Sequence, residues 1–249
     1  MESFSLTHFN SISLEELNSV KLLNRKDTKF VFSQSNLKQL LEKLIPFYQI
    51  LEIDGKRSFM YDNTYFDTDQ FLFFIQHHNE SRRRFKVRYR QYCETDEQYF
   101  EIKVKDNKNR TIKYRLKIIK RNGYFSEDEK HLISEIVGLS PQNLIPKLDI
   151  KFNRITLTDK NFMERLTIDT ELSVKNGTSS KLFDQLVVAE IKQKKYNPKS
   201  DFIKILRKLK VQEMRFSKYC MGMIHVHKGI KYNRFKPKLL KINKILTQG

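Results

Sequence analysis

The sequence predicts an α+β fold: an antiparallel β-barrel, or tunnel, with a polar cationic lumen, surrounded by helices. Three observations predict it. Three consecutive segments alternate apolar and polar residues with period two, and short polar stretches separate them, as hairpins require. On those segments the polar face carries eight Lys or Arg and one carboxylate, Glu101. The opposite face is apolar, and amphipathic helical segments elsewhere in the chain are available to cover it.

The chain opens on a helix over 13–23, where Ser13 and Glu16 form a capping box ahead of Leu14, Leu17 and Val20. A short strand follows at 29–32, and Ser35 caps a second amphipathic helix over 35–45. Residues 58–66 read as a strand and 69–78 as an apolar helix. The three alternating strands come next. In 85–90, Phe85, Val87 and Tyr89 oppose Lys86, Arg88 and Arg90. In 99–105, Phe100, Ile102 and Val104 oppose Glu101, Lys103 and Lys105. In 111–118, Ile112, Tyr114, Leu116 and Ile118 oppose Lys113, Arg115 and Lys117.

A second capping box, Ser126 and Glu129, starts a helix over 127–137. Later strands cover 147–157, 162–172 and 186–194; Arg165, Thr167 and Asp169 share a face, as do Val188, Glu190 and Lys192. A helix begins near Asp201 and runs over 201–210. Residues 1–226 are expected to form a single domain. Residues 227–249, with seven Lys or Arg and no carboxylate, are expected to be a basic tail, partly ordered and solvated, able to touch an anionic membrane surface.

The net charge of +19 over 249 residues makes a polyanionic partner the natural inference, because such an excess repels itself in a compact state. Like charges directly opposite each other on neighbouring strands are destabilising, so the cationic face makes sense when anions fill it. With seven glycines and no glycine-rich phosphate loop, side chains must do that holding. The six histidines lack the spacing of a zinc hydrolase, and Cys93 and Cys220 read as free thiols of a reducing compartment. No run approaches the ~18 apolar residues of a membrane span, and no leader pattern opens the chain. A cytoplasmic location is expected.

Several short segments carry a family resemblance when taken in order. They are Arg25-Lys26-Asp27-Thr28-Lys29, Tyr65-Phe66-Asp67-Thr68, Val87-Arg88-Tyr89-Arg90, Phe100-Glu101-Ile102-Lys103, Ile112-Lys113-Tyr114-Arg115, Phe152-Asn153-Arg154, Leu166-Thr167-Ile168-Asp169-Thr170, Ala189-Glu190-Ile191-Lys192 and Arg215-Phe216-Ser217-Lys218-Tyr219. The chain resembles the VTC domain, the polyphosphate polymerase domain of the vacuolar transporter chaperone complex, within the triphosphate tunnel metalloenzyme superfamily. Arg25 and Asp27 stand where the superfamily's ExExK motif has its two Glu. Arg154 has the parity of Leu148, Ile150 and Phe152; either a β-bulge near Asn153 re-aims it or it lies off the cationic face.

The resemblance implies transfer of the terminal phosphoryl group of ATP to a growing polyphosphate chain, with Mn²⁺ or Mg²⁺. The implied catalytic cations are Lys29, Arg88, Arg90, Lys103, Lys113 and Lys218. Lys26, Arg115, Arg154, Arg165, Lys192 and Arg215 are the further phosphate-binding residues. Glu190 is the implied metal ligand, with Glu101 and Asp169 as further carboxylates on suitable faces. These residue types suit the chemistry: phosphoryl transfer needs positioning and charge neutralisation, Arg offers a planar fork, and Lys a mobile point charge. Two alternatives stay open, a triphosphatase of the same fold acting on inorganic or nucleoside triphosphate, and a non-catalytic binding module for polyphosphate or nucleic acid. Nucleic acid is disfavoured because Phe85, Val87 and Tyr89 lie opposite the cations.

Overall fold

The computed structural model describes residues 6–19, 26–108, 110–119, 121 and 123–247. Its strands are β1 (Asn10–Ile12), β2 (Lys26–Ser33), β3 (Tyr48–Leu51), β4 (Phe59–Asp67), β5 (Arg84–Tyr92), β6 (Glu97–Lys105), β7 (Thr111–Ile118), β8 (Ile145–Asp159), β9 (Glu164–Lys175), β10 (Ser180–Phe183) and β11 (Leu186–Gln193). Its helices are α1 (Leu14–Ser19), α2 (Leu37–Leu44), α3 (Leu72–His78), α4 (Glu127–Val137), α5 (Asp201–Lys208), α6 (Lys218–Val226) and α7 (Lys236–Thr247).

All eleven strands join one sheet with the main order β2-β11-β9-β8-β4-β5-β6-β7. Every pairing along that path is antiparallel; β3 and β10 add to β8 and β9, and β1 runs parallel to β3. The expected barrel is therefore present as a wrapped sheet rather than a hydrogen-bonded ring: β2 and β7 are its ends, with no ladder between them among the described residues. Short contacts show the wrapping. Lys29 of β2 donates to the Phe216 carbonyl at 3.0 Å, Lys86 of β5 to Ser217 Oγ at 3.1 Å, and Lys218 is ion-paired to Asp169 of β9. Strands far apart in the sheet thus converge on three consecutive residues.

Alternation sorts the side chains. Phe30, Phe32, Ile168, Ala189 and Ile191 pack on the convex side beneath α2 and α5. Val87, Phe100 and Ile102 pack there beneath Ile133 and Val137 of α4. The concave side is divided. One end is apolar and filled by α6, whose Tyr219, Cys220 and Met223 pack on Val31, Leu148, Ile150, Val174 and Val188. Gly222 makes this approach feasible, since a Cβ there would lie 2.8 Å from Leu148 Cδ2 and 3.1 Å from Val174 Cγ1. The rest of the concave side is charged.

Both capping boxes form, Ser13 with Glu16 and Ser126 with Glu129. The second helix starts later than its expected cap: Ser33 caps a 3₁₀ turn over 34–36, and α2 follows. Residues 20–25, which include the end of the first expected helix and Arg25, lie outside the described residues. The ordered part of the basic tail includes α7. Its apolar positions Leu239, Ile242, Ile245 and Leu246 recur at helical spacing, and Ile242 is 2% exposed against the α6 core. No helix among the described residues is long and apolar enough to cross a membrane.

Candidate functional site

Register builds the first part of the site. On β5, β6 and β7 the facing sets are Arg88, Glu101 and Arg115; Lys86, Lys103 and Lys113; and Arg90, Tyr99 and Lys117. Glu101 is fully buried and receives Arg88 through Nε at 2.8 Å and Nη2 at 2.5 Å, Lys113 at 2.8 Å and Arg115 at 3.4 Å. Burial alone would raise the Glu101 carboxyl, but Arg88, Arg90 and Lys113 outweigh it and hold it well below the usual carboxylate range. The remaining Nη1 of Arg88 donates to Tyr65 Oη at 2.8 Å.

Two neighbouring cations make no direct ion pair among the described residues. Arg90 is 9% exposed and donates through Nε to Asn63 Oδ1 at 2.9 Å, with no ion pair among the described residues. Burial and then Arg88 lower its pKa. Half-buried Lys103 has neither a hydrogen bond nor an ion pair among the described residues, and Arg88, burial and Arg90 push its pKa far down. Both positions favour the arrival of an anion, because burial of unpaired charge is costly.

The second part lies on β8, β9, β11 and β2, where Arg154 faces Asp169, Asp169 faces Val188, and Glu190 faces both Thr167 and Lys29. Arg154 grips Asp169 with two parallel bonds, Nε to Oδ1 at 2.6 Å and Nη2 to Oδ2 at 2.8 Å. Lys218, at the start of α6, adds an ion pair to the same carboxylate. Burial would raise Asp169, but Arg154 and Lys218 hold it at about 2. Glu190 lies between Lys192 and Lys29, the latter at 3.4 Å. Burial opposes ionisation there as well, and the two lysines prevail.

The parity of Arg154 now has its explanation. From Lys151 to Asn153, β8 takes two steps while β9 takes three, from Ser173 to Thr170. The extra residue is on β9, where Glu171 has φ 53°. Arg154 therefore shares the concave face with Leu148, Ile150 and Phe152, whose apolar stretch packs in the α6 core. On β9 the bulge switches the concave positions from Arg165, Thr167 and Asp169 to Leu172 and Val174.

The structure thus brings together Lys29, Arg88, Arg90, Lys103, Lys113, Arg115, Arg154, Lys192 and Lys218 with Glu101, Asp169 and Glu190 on one face. Arg165 follows on that face opposite Lys192, and donates to the Leu17 carbonyl at 2.5 Å. Lys26 has the opposite parity on β2 and lies over the Tyr196 ring at 4.6 Å. Arg215 is exposed, near Lys105. The sequence reading left Lys86, Tyr61, Asn63, Tyr65, Tyr92 and Tyr99 without a site role. The register sets Tyr61, Asn63 and Tyr65 opposite Tyr92, Arg90 and Arg88.

Among the described residues no three His, Cys, Asp or Glu side chains form a group that could hold a metal ion. A protein-only metal cage does not fit these residues. Glu190, paired with Lys29 and Lys192, is the most accessible of the three concave carboxylates, its side chain 19% exposed. Glu101 and Asp169 are 0% and 3% exposed and gripped by arginine. A cavity of about 550 Å³ lies elsewhere, between β2, residues 209–214 and α7.

Comparison with known proteins agrees with this architecture. The family model described as VTC domain matches residues 24–227. A Hippeastrum protein, described as a candidate adenylyl cyclase with a dominant triphosphatase activity, superposes with TM-score 0.51 at 12% identity, over 83% of this chain and 99% of its own. A candidate adenylate cyclase from Bacillus halodurans gives TM-score 0.49 at 13% identity, over 78% and 96%. No curated protein matches.

Proposed function

We propose that this chain, which belongs to the VTC domain family, is an ATP:polyphosphate phosphotransferase whose concave face holds a chain of phosphates. The observation that carries this reading is the pair of cations beside Arg88, the buried Arg90 and the half-buried Lys103, which form no ion pair among the described residues. An extended polyanion would supply the missing counter-charge at several points at once.

In the proposed reaction, a terminal oxygen of the acceptor polyphosphate attacks the γ-phosphorus of ATP. The bond from that phosphorus to the β,γ-bridging oxygen breaks, and ADP leaves with the electron pair. Arg88, Arg90, Lys103 and Lys113 would neutralise non-bridging oxygens, and the arginine forks would fix their direction. Lys29, Lys192, Arg154 and Lys218 would hold the neighbouring phosphates. Lys26, Arg115, Arg165 and Arg215 would hold outlying ones. Glu190 would hold a divalent ion, Mn²⁺ or Mg²⁺, which would supply further charge neutralisation.

Hydrolysis is the rival reading, and it needs a group that activates water. Glu101, Asp169 and Glu190 are each engaged by two or more cations, which supports transfer to a phosphate acceptor over attack by water. The test is to incubate the protein with ATP and Mn²⁺ and separate products by chain length. Polymer with matching ADP supports the proposal. Phosphate and ADP alone would establish a triphosphatase, and bound but unconsumed ATP a binding module.

A further inference from the structure

We infer that Tyr61, Tyr92 and Tyr99, with Arg115, form a stacking platform for the base of a nucleoside triphosphate at the β5–β6 hairpin end of the concave face. The inference rests on the phosphate-binding reading of that face and specifies what lies beyond the phosphates.

Along β5 the concave positions are Arg84, Lys86, Arg88, Arg90 and Tyr92, so a run of cations ends in a tyrosine. Its neighbours continue the change. Tyr92 faces Tyr61 on β4, and Arg90 faces Tyr99 on β6. The Tyr61 and Tyr92 ring centroids lie 4.9 Å apart, and those of Tyr92 and Tyr99 5.8 Å apart and nearly perpendicular. Arg115 lies 3.4 Å over the Tyr99 ring and donates to Tyr92 Oη at 2.9 Å; Arg90 lies 5.1 Å over Tyr61. None of the three rings is fully buried, and Arg115 is exposed, whereas the convex aromatics Phe73, Phe85, Tyr89 and Phe100 are buried.

Phosphates alone have no use for such a surface. A nucleobase does: it is flat, poorly solvated on its faces, and stacks on tyrosine rings and guanidinium planes. Two same-face steps, about 14 Å, separate Arg88 from Tyr92 along an antiparallel strand. That leaves space for phosphate and ribose between the cations and the rings. Stacking reads the base's face and not its edge, so the platform distinguishes a nucleoside triphosphate from a base-free one and tolerates different bases.

Calorimetry in EDTA with ATP, GTP and methyl triphosphate tests this, since methyl triphosphate carries the same phosphates and charge without a base. The wild-type chain should bind ATP and GTP about tenfold tighter than methyl triphosphate. Tyr99→Leu should remove most of that advantage and leave methyl triphosphate within about twofold, while Tyr99→Phe keeps it. Equal affinity of the wild type for ATP and methyl triphosphate would overturn the platform and leave the phosphate site standing. An equal loss of all three ligands in Tyr99→Leu would assign the tyrosines to packing alone and overturn it too. Binding of none of them by the wild type would overturn the phosphate reading and the platform together.

Discussion

Arg154 and Asp169 face each other across β8 and β9 and are joined by two parallel hydrogen bonds of 2.6 and 2.8 Å, while Lys218 pairs with the same carboxylate. One buried carboxylate thus orders two cations from elements far apart in sequence. Asp169→Asn would leave both without a counter-charge. Breaking a buried pair costs about 3–5 kcal/mol, so the apo variant should melt earlier. Inorganic triphosphate should bind it more tightly, since a negative charge has left the site. Melting and calorimetry in EDTA check the two signs.

The same residue sets an acid limit. Asp169 is depressed from 3.8 to about 2, so its contribution is fully present above pH 4 and is lost as pH falls toward 2. The depression corresponds to roughly 2 kcal/mol. Stability of the wild type should fall across that window, and Asp169→Asn should show a flatter profile in denaturant titrations at each pH.

Arg88 and Arg90 share a face but should respond differently to substitution. Arg88 neutralises the fully buried Glu101, so Arg88→Ala should lower stability as well as affinity. Arg90 forms no direct carboxylate pair among the described residues. Arg90→Gln should lose about 1.5–3 kcal/mol of triphosphate binding, as for one charge-assisted contact, with a much smaller change in melting temperature. Paired melting and binding curves separate the two behaviours.

Lys103 is a half-buried cation with no hydrogen bond or ion pair among the described residues, and its folded pKa is depressed. A lysine of that kind opposes folding below its unfolded pKa, and the penalty fades as pH rises. Lys103→Met should therefore melt later than the wild type at neutral pH and bind triphosphate more weakly. A variant that melts earlier and binds normally would remove Lys103 from the site.

Glu190→Gln separates metal chemistry from packing. Triphosphate affinity in EDTA should hold or rise, because Lys29 and Lys192 become free for phosphate. Metal-dependent turnover of ATP should fall on the order of 10²-fold if the ion carries much of the transition-state charge. Near-normal turnover at low Mn²⁺ would remove Glu190 from that role.

The alternation of β5, β6 and β7 was legible in the sequence because one face meets helices and the other meets charge. Other features were hidden for identifiable physical reasons. On β4 the concave residues are Tyr61, Asn63 and Tyr65, which carry no charge to mark that face. Helix α6 is apolar nearly all round because the sheet wraps it, so no amphipathic stripe marks it. In α7 the lysines obscure the apolar stripe of Leu239, Ile242 and Ile245. The bulge at Glu171 carries no glycine to signal it, so the phase of β9 past that point, and the burial of Leu172 and Val174 against α6, follow from register alone.

The central claim is that the concave face reads consecutive phosphates, and thermal melting with inorganic triphosphate against equal concentrations of monophosphate tests it most directly. A ligand at 100 times its Kd stabilises the native state by about 2.7 kcal/mol. Triphosphate should therefore raise the melting temperature by several degrees, monophosphate far less, and Arg90→Gln should reduce the triphosphate shift. Equal shifts with triphosphate and monophosphate, or a triphosphate shift untouched by Arg90→Gln, would contradict the account.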